Sequence, residues 1–301
     1  YKNNYGAVQE HGYRALEPSY HRHADNDVLV AGYDEDFFST LRATLASMGL
    51  PVWATQGEGG LGQHEVNLSH TVPLRSADWH VLFKHAVKAV AHQMDRSVTF
   101  MAKPSQEAGS GCHIHLSLSH NGQNALREGN GELTATGRMF LAGLLEYTQD
   151  FSALYAPYAN SYRRLQPDSL VPLNATWGFD NRTCLVRVLG QGEDFRFEFR
   201  LPGADANPYL VIAALFAAGL AGLDNQVSLP APVSGNACEA DAPALPRDLT
   251  ESIQIFSRST VAQEALGSSA HAHLLGMVVN ERNQARGAVT DWDIQRGFEN
   301  A

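Results

Sequence analysis

The sequence predicts an α+β domain with a mainly antiparallel sheet. Three observations predict it. Segments with helical spacing are interleaved with short apolar stretches. Several of those stretches alternate apolar and polar residues on a two-residue period, as a strand with one wet face does. No internal repeat runs through the 301 residues.

The elements follow in order. Residues 1–27 read as loop. Asp34 reads as an N-cap, with Glu35 and Asp36 in the first turn of a helix. Phe37, Phe38, Leu41, Leu45 and Met48 repeat at helical spacing, and Gly49 stops the helix. Leu50–Thr55 reads as a strand, followed by the glycine-rich QGEGGLGQ at 56–63. Ser76 to about Met94 is an amphipathic helix, with Trp79, Leu82, Phe83, Ala86, Val87, Val90 and Ala91 on one side. Val98–Ala102 and Gly111–Ser119 read as strands and Glu132–Phe151 as a second long helix. Cys184–Val188 and Phe195–Leu201 read as short strands. Asn207 then caps a helix that has Pro208 at its first position and runs to about Leu223. Residues 229–246 carry four prolines among small residues and read as a surface loop. The remainder reads as helical.

Composition narrows the function. Hydrophobic residues make up 44% and charged residues 18%, an ordinary globular balance that argues against disorder. The net charge is −10 and no Lys/Arg-rich run occurs, which excludes a nucleic-acid or anionic-membrane surface. The longest uncharged apolar run, Tyr209–Leu223, is shorter than the roughly 18 residues of a membrane span. Three cysteines, Cys112, Cys184 and Cys238, make no disulfide framework and fit a reducing cytoplasm.

Four constellations carry chemistry. Gly57, Gly59, Gly60 and Gly62 let the chain fold back between Glu58 and Glu65, so both carboxylates can face one cation. A flexible loop with two solvated acids explains them equally well when read alone. In GSGCHIHLSL (109–118), strand alternation sends Cys112, Ile114, Leu116 and Leu118 to the core. His113, His115 and Ser117 then share a polar face suited to a metal or a nucleotide phosphate. Two exposed histidines on an amphipathic strand would look the same. In FRFEFRLP (195–202), Phe195, Phe197, Phe199 and Leu201 form one face and Arg196, Glu198 and Arg200 the other. A carboxylate between two guanidiniums stays ionised, as a metal ligand must; a surface ion-pair ladder is the alternative. The fourth is an arginine cluster. Arg163, Arg164, Arg182 and Arg187 join Arg196 and Arg200 within residues 163–200, beside apolar strand residues, as carboxylate and phosphate clamps require.

Taken together, EGGLGQHE, TFMAKP, GSGCHIH, NSYRRLQP, NRTCLVR, FRFEFRLPGADANPYL and AALFAAGLAGL resemble the glutamine synthetase family in order and spacing, over roughly Thr55 to Leu223. Within it the chain is most similar to the γ-glutamyl-amide and γ-glutamylpolyamine synthetase branch. The resemblance implies a metal-lined funnel on a curved antiparallel sheet with flanking helices. It also implies an ATP-dependent ligase that phosphorylates the glutamate γ-carboxylate and lets an amine displace the phosphate. By position, Glu58 and Glu65 look like ligands of one Mg2+ (or Mn2+), and His113 and Glu198 of another. Gly109 and Arg164 look like glutamate-binding residues, with Arg200 beside them. Arg182 and Arg187 look like the residues that bind the transferring phosphoryl group. Arg196, His115 and Ser117 look like nucleotide-side residues, with ATP as co-substrate. The resemblance further implies a cytoplasmic homo-oligomer of dodecamer-like rings, and one catalytic domain over residues 1–301.

Two departures shape the expectation. No E-x-E pair precedes Glu58, so each metal lacks a ligand here, and an N-terminal portion is expected to precede Tyr1. In ammonium-using members the RRLxP segment is followed by a glutamate that binds and deprotonates ammonium. Here RRLQPDSLVP puts Leu170 at that position, and an apolar side chain can do neither. It can pack against an alkyl amine, so the expected acceptor is an organic amine or polyamine. The alternatives are an ammonium-using glutamine synthetase, a metal-dependent amidohydrolase built around His113 and His115, and a non-catalytic member acting as a binding or structural subunit.

Overall fold

The computed structural model describes residues 1–129, 131–167 and 170–299. The chain forms two compact units. The first comprises Tyr1–Gly111 with Asn207–Ile212, and the second Cys112–Ala206 with Ala213–Ala301.

The first unit opens with α1 (Gly6–His11) and a 3-10 turn at Tyr13–Ala15, where the sequence suggests loop. Helix α2 (Val28–Ala31) is capped by the Asp27 carboxylate, which accepts from Leu29 and Val30 N–H. Helix α3 (Glu35–Ser47) and the hairpin β1 (Val52–Gly57) and β2 (His64–Leu68) follow, then α4 (Pro73–Gln93). Phe37, Phe38, Leu41 and Leu45 of α3 pack with Phe83, Ala86, Val87, Val90 and Ala91 of α4 in one core. Leu82 of α4 stays partly outside that core, 42% exposed. Val98–Ala102 forms no strand. Its backbone is used singly instead: the Tyr5 hydroxyl donates to Val98 O and Ser110 N–H to Ala102 O.

In the second unit β3 (Ile114–Leu116) and the short hairpin β4 (Ser119–His120) and β5 (Gln123–Asn124) replace the single strand expected over Gly111–Ser119. The long helix expected at Glu132–Phe151 is two helices, α5 (Ala135–Glu146) and α6 (Thr148–Tyr155). At the break the Thr148 hydroxyl bonds back to Leu144 O and the Ser152 hydroxyl to Thr148 O, a side-chain competition that bends helices. Strands β6 (Trp177–Phe179), β7 (Val186–Leu189) and β8 (Arg196–Phe199) join β3 in a four-stranded sheet ordered β3-β8-β7-β6. Pairing is antiparallel except between β6 and β7. Phe197 and Phe199 are fully buried beneath it with Tyr155 against Phe199.

Helix α7 (Pro208–Asp224) starts as expected, with Asn207 Oδ1 accepting from Tyr209 and Leu210 N–H. Glycines let α7 approach α5 closely: a Cβ on Gly143 would lie 2.3 Å from Ala218 O. Helices α8 (Leu249–Arg258), α9 (Thr260–Leu266), α10 (Ser268–Gly287) and α11 (Asp291–Gly297) complete the chain. No helix of the described residues is long and apolar enough to cross a membrane.

Candidate active site

The expected residues fall into two groups, one in each unit. In the first unit the hairpin pairs Gln56 with Glu65 and Gly57 with His64. The ladder ends there, and the turn is closed by Glu58 N–H to Gln63 O at 2.9 Å. Glu58 and Glu65 therefore reach the same face. The Gln56 amide spans them, donating to Glu58 Oε1 at 3.2 Å and to Glu65 Oε1 at 3.5 Å. Burial raises the pKa of Glu58, and the neighbouring Glu65 charge raises it further against the Gln56 hydrogen bond. Two carboxylates forced together this way fit a cation. Gln63 anchors the third expected residue: its amide donates to Gly109 O at 3.0 Å and to Ser110 Oγ at 3.2 Å.

His64 points to the opposite face, where Nε2 meets Asp34 at 3.0 Å. The sequence predicts that Asp34 caps α3, but its side chain makes no cap. Its carboxylate is taken by His64 and by Arg96, whose Nη1 lies at 2.5 Å.

In the second unit strand register builds the site. His115 faces Glu198 across β3–β8, and Glu198 faces Arg187 across β8–β7. One row thus carries an imidazole, a carboxylate and a guanidinium on three adjacent strands. Glu198 is 3% exposed, and both of its oxygens have protein partners. It receives Arg200 Nη1 at 2.6 Å and Arg187 Nη1 at 3.0 Å, and His113 Nδ1 lies 3.2 Å from it. Burial alone would raise the Glu198 pKa. The His113 hydrogen bond and the Arg200 charge override it and hold the carboxyl well below the usual range. Burial lowers both imidazoles, His115 to about 4, so both are neutral at pH 7 and keep a nitrogen lone pair. Arg196 Nε lies 3.1 Å from His115 Nδ1.

The remaining residues lie around this row. Arg164 is buried and donates to Leu201 O at 2.8 Å and Arg200 O at 3.1 Å. Ser117 is exposed just beyond β3. Arg182 is exposed on the turn after β6. It lines a cleft of about 730 Å³ with Phe179, Asp180, Asn181, Arg187 and the loop residues Pro232–Gly235. Sequence reasoning misses Asp180, Gln56 and Gln63. GLGQHE contains Gln63, but only the folded hairpin gives it a task.

Comparisons with known proteins identify the family. The glutamine synthetase catalytic domain profile matches residues 3–297. The chain belongs to the glutamine synthetase family. A γ-glutamylethanolamide synthetase of Streptomyces coelicolor is 42% identical over 99% of this chain and 65% of its own length. A glutamate–isopropylamine ligase of a Pseudomonas species is 37% identical over 87% of this chain and 59% of its own. A γ-glutamylputrescine synthetase of Escherichia coli is 38% identical over 84% of this chain and 54% of its own. The chain thus spans between 54% and 65% of the length of these relatives. A solved structure of a GmaS/ADP complex superposes with a TM-score of 0.86 at 29% identity, over 94% of this chain and 68% of that one.

The fold is that of the glutamine synthetase catalytic domain. Leu170 lies in the left-handed region at φ +52, rare for a branched side chain, and is 60% exposed. Its carbonyl accepts from Arg200 Nη2 at 3.3 Å. The same guanidinium that pairs with Glu198 therefore holds the backbone at Leu170.

Proposed function

We propose that the protein is an ATP-dependent carbon–nitrogen ligase that joins the γ-carboxylate of glutamate to an organic amine or polyamine through a γ-glutamyl phosphate. The observation that carries this reading is the row His115–Glu198–Arg187, with Arg196 and Arg200 beside it on β8 and its end. Several guanidiniums around one buried, ionised carboxylate suit a site that handles phosphate and carboxylate groups. The names of the relatives support the acceptor class, since they specify ethanolamide, isopropylamine and putrescine products or substrates. We read residues 1–301 as one catalytic domain.

A carboxylate is a poor acylating agent, and its phosphate anhydride is a good one. A γ-carboxylate oxygen attacks the γ-phosphorus of ATP, and the bond to the ADP oxygen breaks. Arg182 and Arg187 stabilise charge on the moving phosphoryl group. Gly109, Arg164 and Arg200 hold glutamate; His115, Ser117 and Arg196 serve the nucleotide. The amine nitrogen then adds to the acyl carbon, phosphate leaves with the C–O bonding pair, and the nitrogen gives up a proton to water. Leu170, lacking a carboxylate, offers an acceptor apolar contact and no proton sink.

The residues present fit divalent cations, Mg2+ or Mn2+. Glu58 with Glu65 is one donor pair, and His113 with Glu198 is the other. Among the described residues no three His, Cys, Asp or Glu side chains converge. Each pair leaves the rest of the ion's shell to further ligands, and Mg2+ readily takes waters and substrate phosphates there. When bound, such ions neutralise phosphate charge and align the transfer.

The family setting supports a cytoplasmic homo-oligomer, which light scattering on the full-length protein tests. A phosphate-release assay with ATP, glutamate and an amine panel tests the reaction. Alkylamines or polyamines should outperform ammonium. Ammonium ahead of every amine would make it a glutamine synthetase. Tight binding of ATP and a phosphorylated glutamate mimic without turnover would make it a non-catalytic subunit.

A further inference from the structure

Arg187 is clamped from two sides. Its Nη1 donates to Glu198 Oε2 at 3.0 Å. Its Nε donates to Asp180 Oδ1 at 2.8 Å, and Nη2 donates to the same oxygen. An arginine has five N–H donors, so two remain for a ligand. The two partners differ in kind. The Glu198 side chain is buried, whereas that of Asp180 is 77% exposed. An exposed ion pair contributes little to folding, yet the local backbone is shaped to make this one. Asp180 takes the left-handed conformation at φ +47, tolerated by aspartate better than by most residues. Its N–H is tied to Val188 O at 2.9 Å, beside Arg187 on β7. The turn continues through Asn181, whose amide holds Val233 O at 3.1 Å and Gly235 O at 2.8 Å, and reaches Arg182. Asp180, Asn181, Arg182 and Arg187 all line the open cleft of about 730 Å³.

We propose that Asp180 is a positioning residue: it fixes the Nε/Nη2 edge of Arg187 so that the remaining N–H donors meet the transferring phosphoryl group. The inference rests on the reading that Arg187 receives that group. Without Asp180 the guanidinium is held at Nη1 alone and can swing about that contact. Affinity for the polyphosphate falls while the fold and the glutamate contacts stay intact.

Calorimetry on the full-length protein tests this, using a non-hydrolysable ATP analogue with magnesium and, separately, glutamate. The variants are Asp180→Gly, Asp180→Asn and Arg187→Gln. Glycine suits the left-handed backbone, so Asp180→Gly should melt no lower than wild type. It should weaken the analogue about tenfold, the scale of one charge-assisted hydrogen bond. Its glutamate Kd should stay within about twofold of wild type, since glutamate meets other arginines. Asp180→Asn keeps an acceptor oxygen and should fall between the two. If Asp180→Gly binds the analogue like wild type while Arg187→Gln binds it weakly, the role of Asp180 is overturned and the reading of Arg187 stands. If Arg187→Gln also binds like wild type, both fall. A lowered melting temperature or equal losses for both ligands would make Asp180 a general structural residue and overturn the proposal.

Discussion

Arg200 donates to the carboxylate of Glu198, two residues earlier on the chain, at 2.6 Å, and both residues are buried. Arg187 takes the other carboxylate oxygen from the neighbouring strand at 3.0 Å. One buried anion therefore compensates two guanidiniums. Removing one partner of a buried pair typically costs about 3–5 kcal/mol, because the survivors keep their desolvation penalty. Glu198→Ala should lose roughly that much in urea unfolding. Glu198→Gln keeps the shape and an acceptor oxygen, so its loss should be smaller, about 1–3 kcal/mol. A Glu198→Ala midpoint equal to wild type would show that the pair does not hold this sheet together.

Leu170 sets the acceptor in the proposed reaction, and exchanging it should move the preference. Leu170→Glu restores a carboxylate that can bind ammonium and take its proton. Turnover with ammonium should rise by about tenfold or more, a modest share of what a placed general base contributes. Turnover with alkylamines should fall, since a charge replaces an apolar contact. Competition between ammonium and an alkylamine, followed by product mass, gives the ratio directly. An unchanged ratio would remove Leu170 from acceptor selection.

How much of this could be read from residues alone differs between the two units. The face of β8 was legible because Phe195, Phe197, Phe199 and Leu201 alternate with Arg196, Glu198 and Arg200, and the apolar set is buried as expected. The same period gave the buried Leu116 and set His115 on the opposite face of β3, although Cys112, Ile114 and Leu118, expected in the core, are only half-buried. Register was not legible. Nothing in either segment says that His115 lies opposite Glu198, because pairing is fixed by contacts distant in sequence. Asp34 shows the same limit. Local pattern makes it a helix cap, but partners 30 and 62 residues away claim the carboxylate. Val98–Ala102 has strand composition, but its backbone bonds go singly to the Tyr5 hydroxyl and Ser110 N–H and not into a ladder, so propensity alone misassigned it.

Helices α5 and α7 touch through glycine. A Cβ on Gly222 would lie 2.5 Å from Gly143 Cα and 2.3 Å from Met139 O, both within the backbone of the facing helix. Backbone cannot move aside as a flexible side chain can. Gly222→Ala should therefore destabilise by about 1–3 kcal/mol through overpacking, although alanine is the better helix former. Gly276 lies inside α10, and a Cβ added there would meet nothing within 4 Å. Gly276→Ala should stabilise by roughly 0.5–1 kcal/mol, the intrinsic helix difference. Opposite shifts in thermal melts would check the pair together. A stabilised Gly222→Ala would mean that the helices separate without cost.

The Asp34 cluster gives a pH dependence with a defined sign. Burial pushes this carboxyl up, but hydrogen bonds from His64, Ser19 and Arg96 outweigh it and bring the pKa from 3.8 to about 2. The folded value is depressed, so the ionised form favours folding. The contribution is complete above 3.8 and disappears as pH falls through about 2. The difference corresponds to about 2 kcal/mol at neutral pH, and the side chain is only 6% exposed, so solvent screens it little. Asp34→Asn should lower stability by roughly that amount at pH 7, and the gap from wild type should close as pH drops toward 2. Urea unfolding of both proteins between pH 2 and pH 7 measures the gap. A gap that stays constant across that window would mean Asp34 acts through shape and hydrogen bonding, not through its charge.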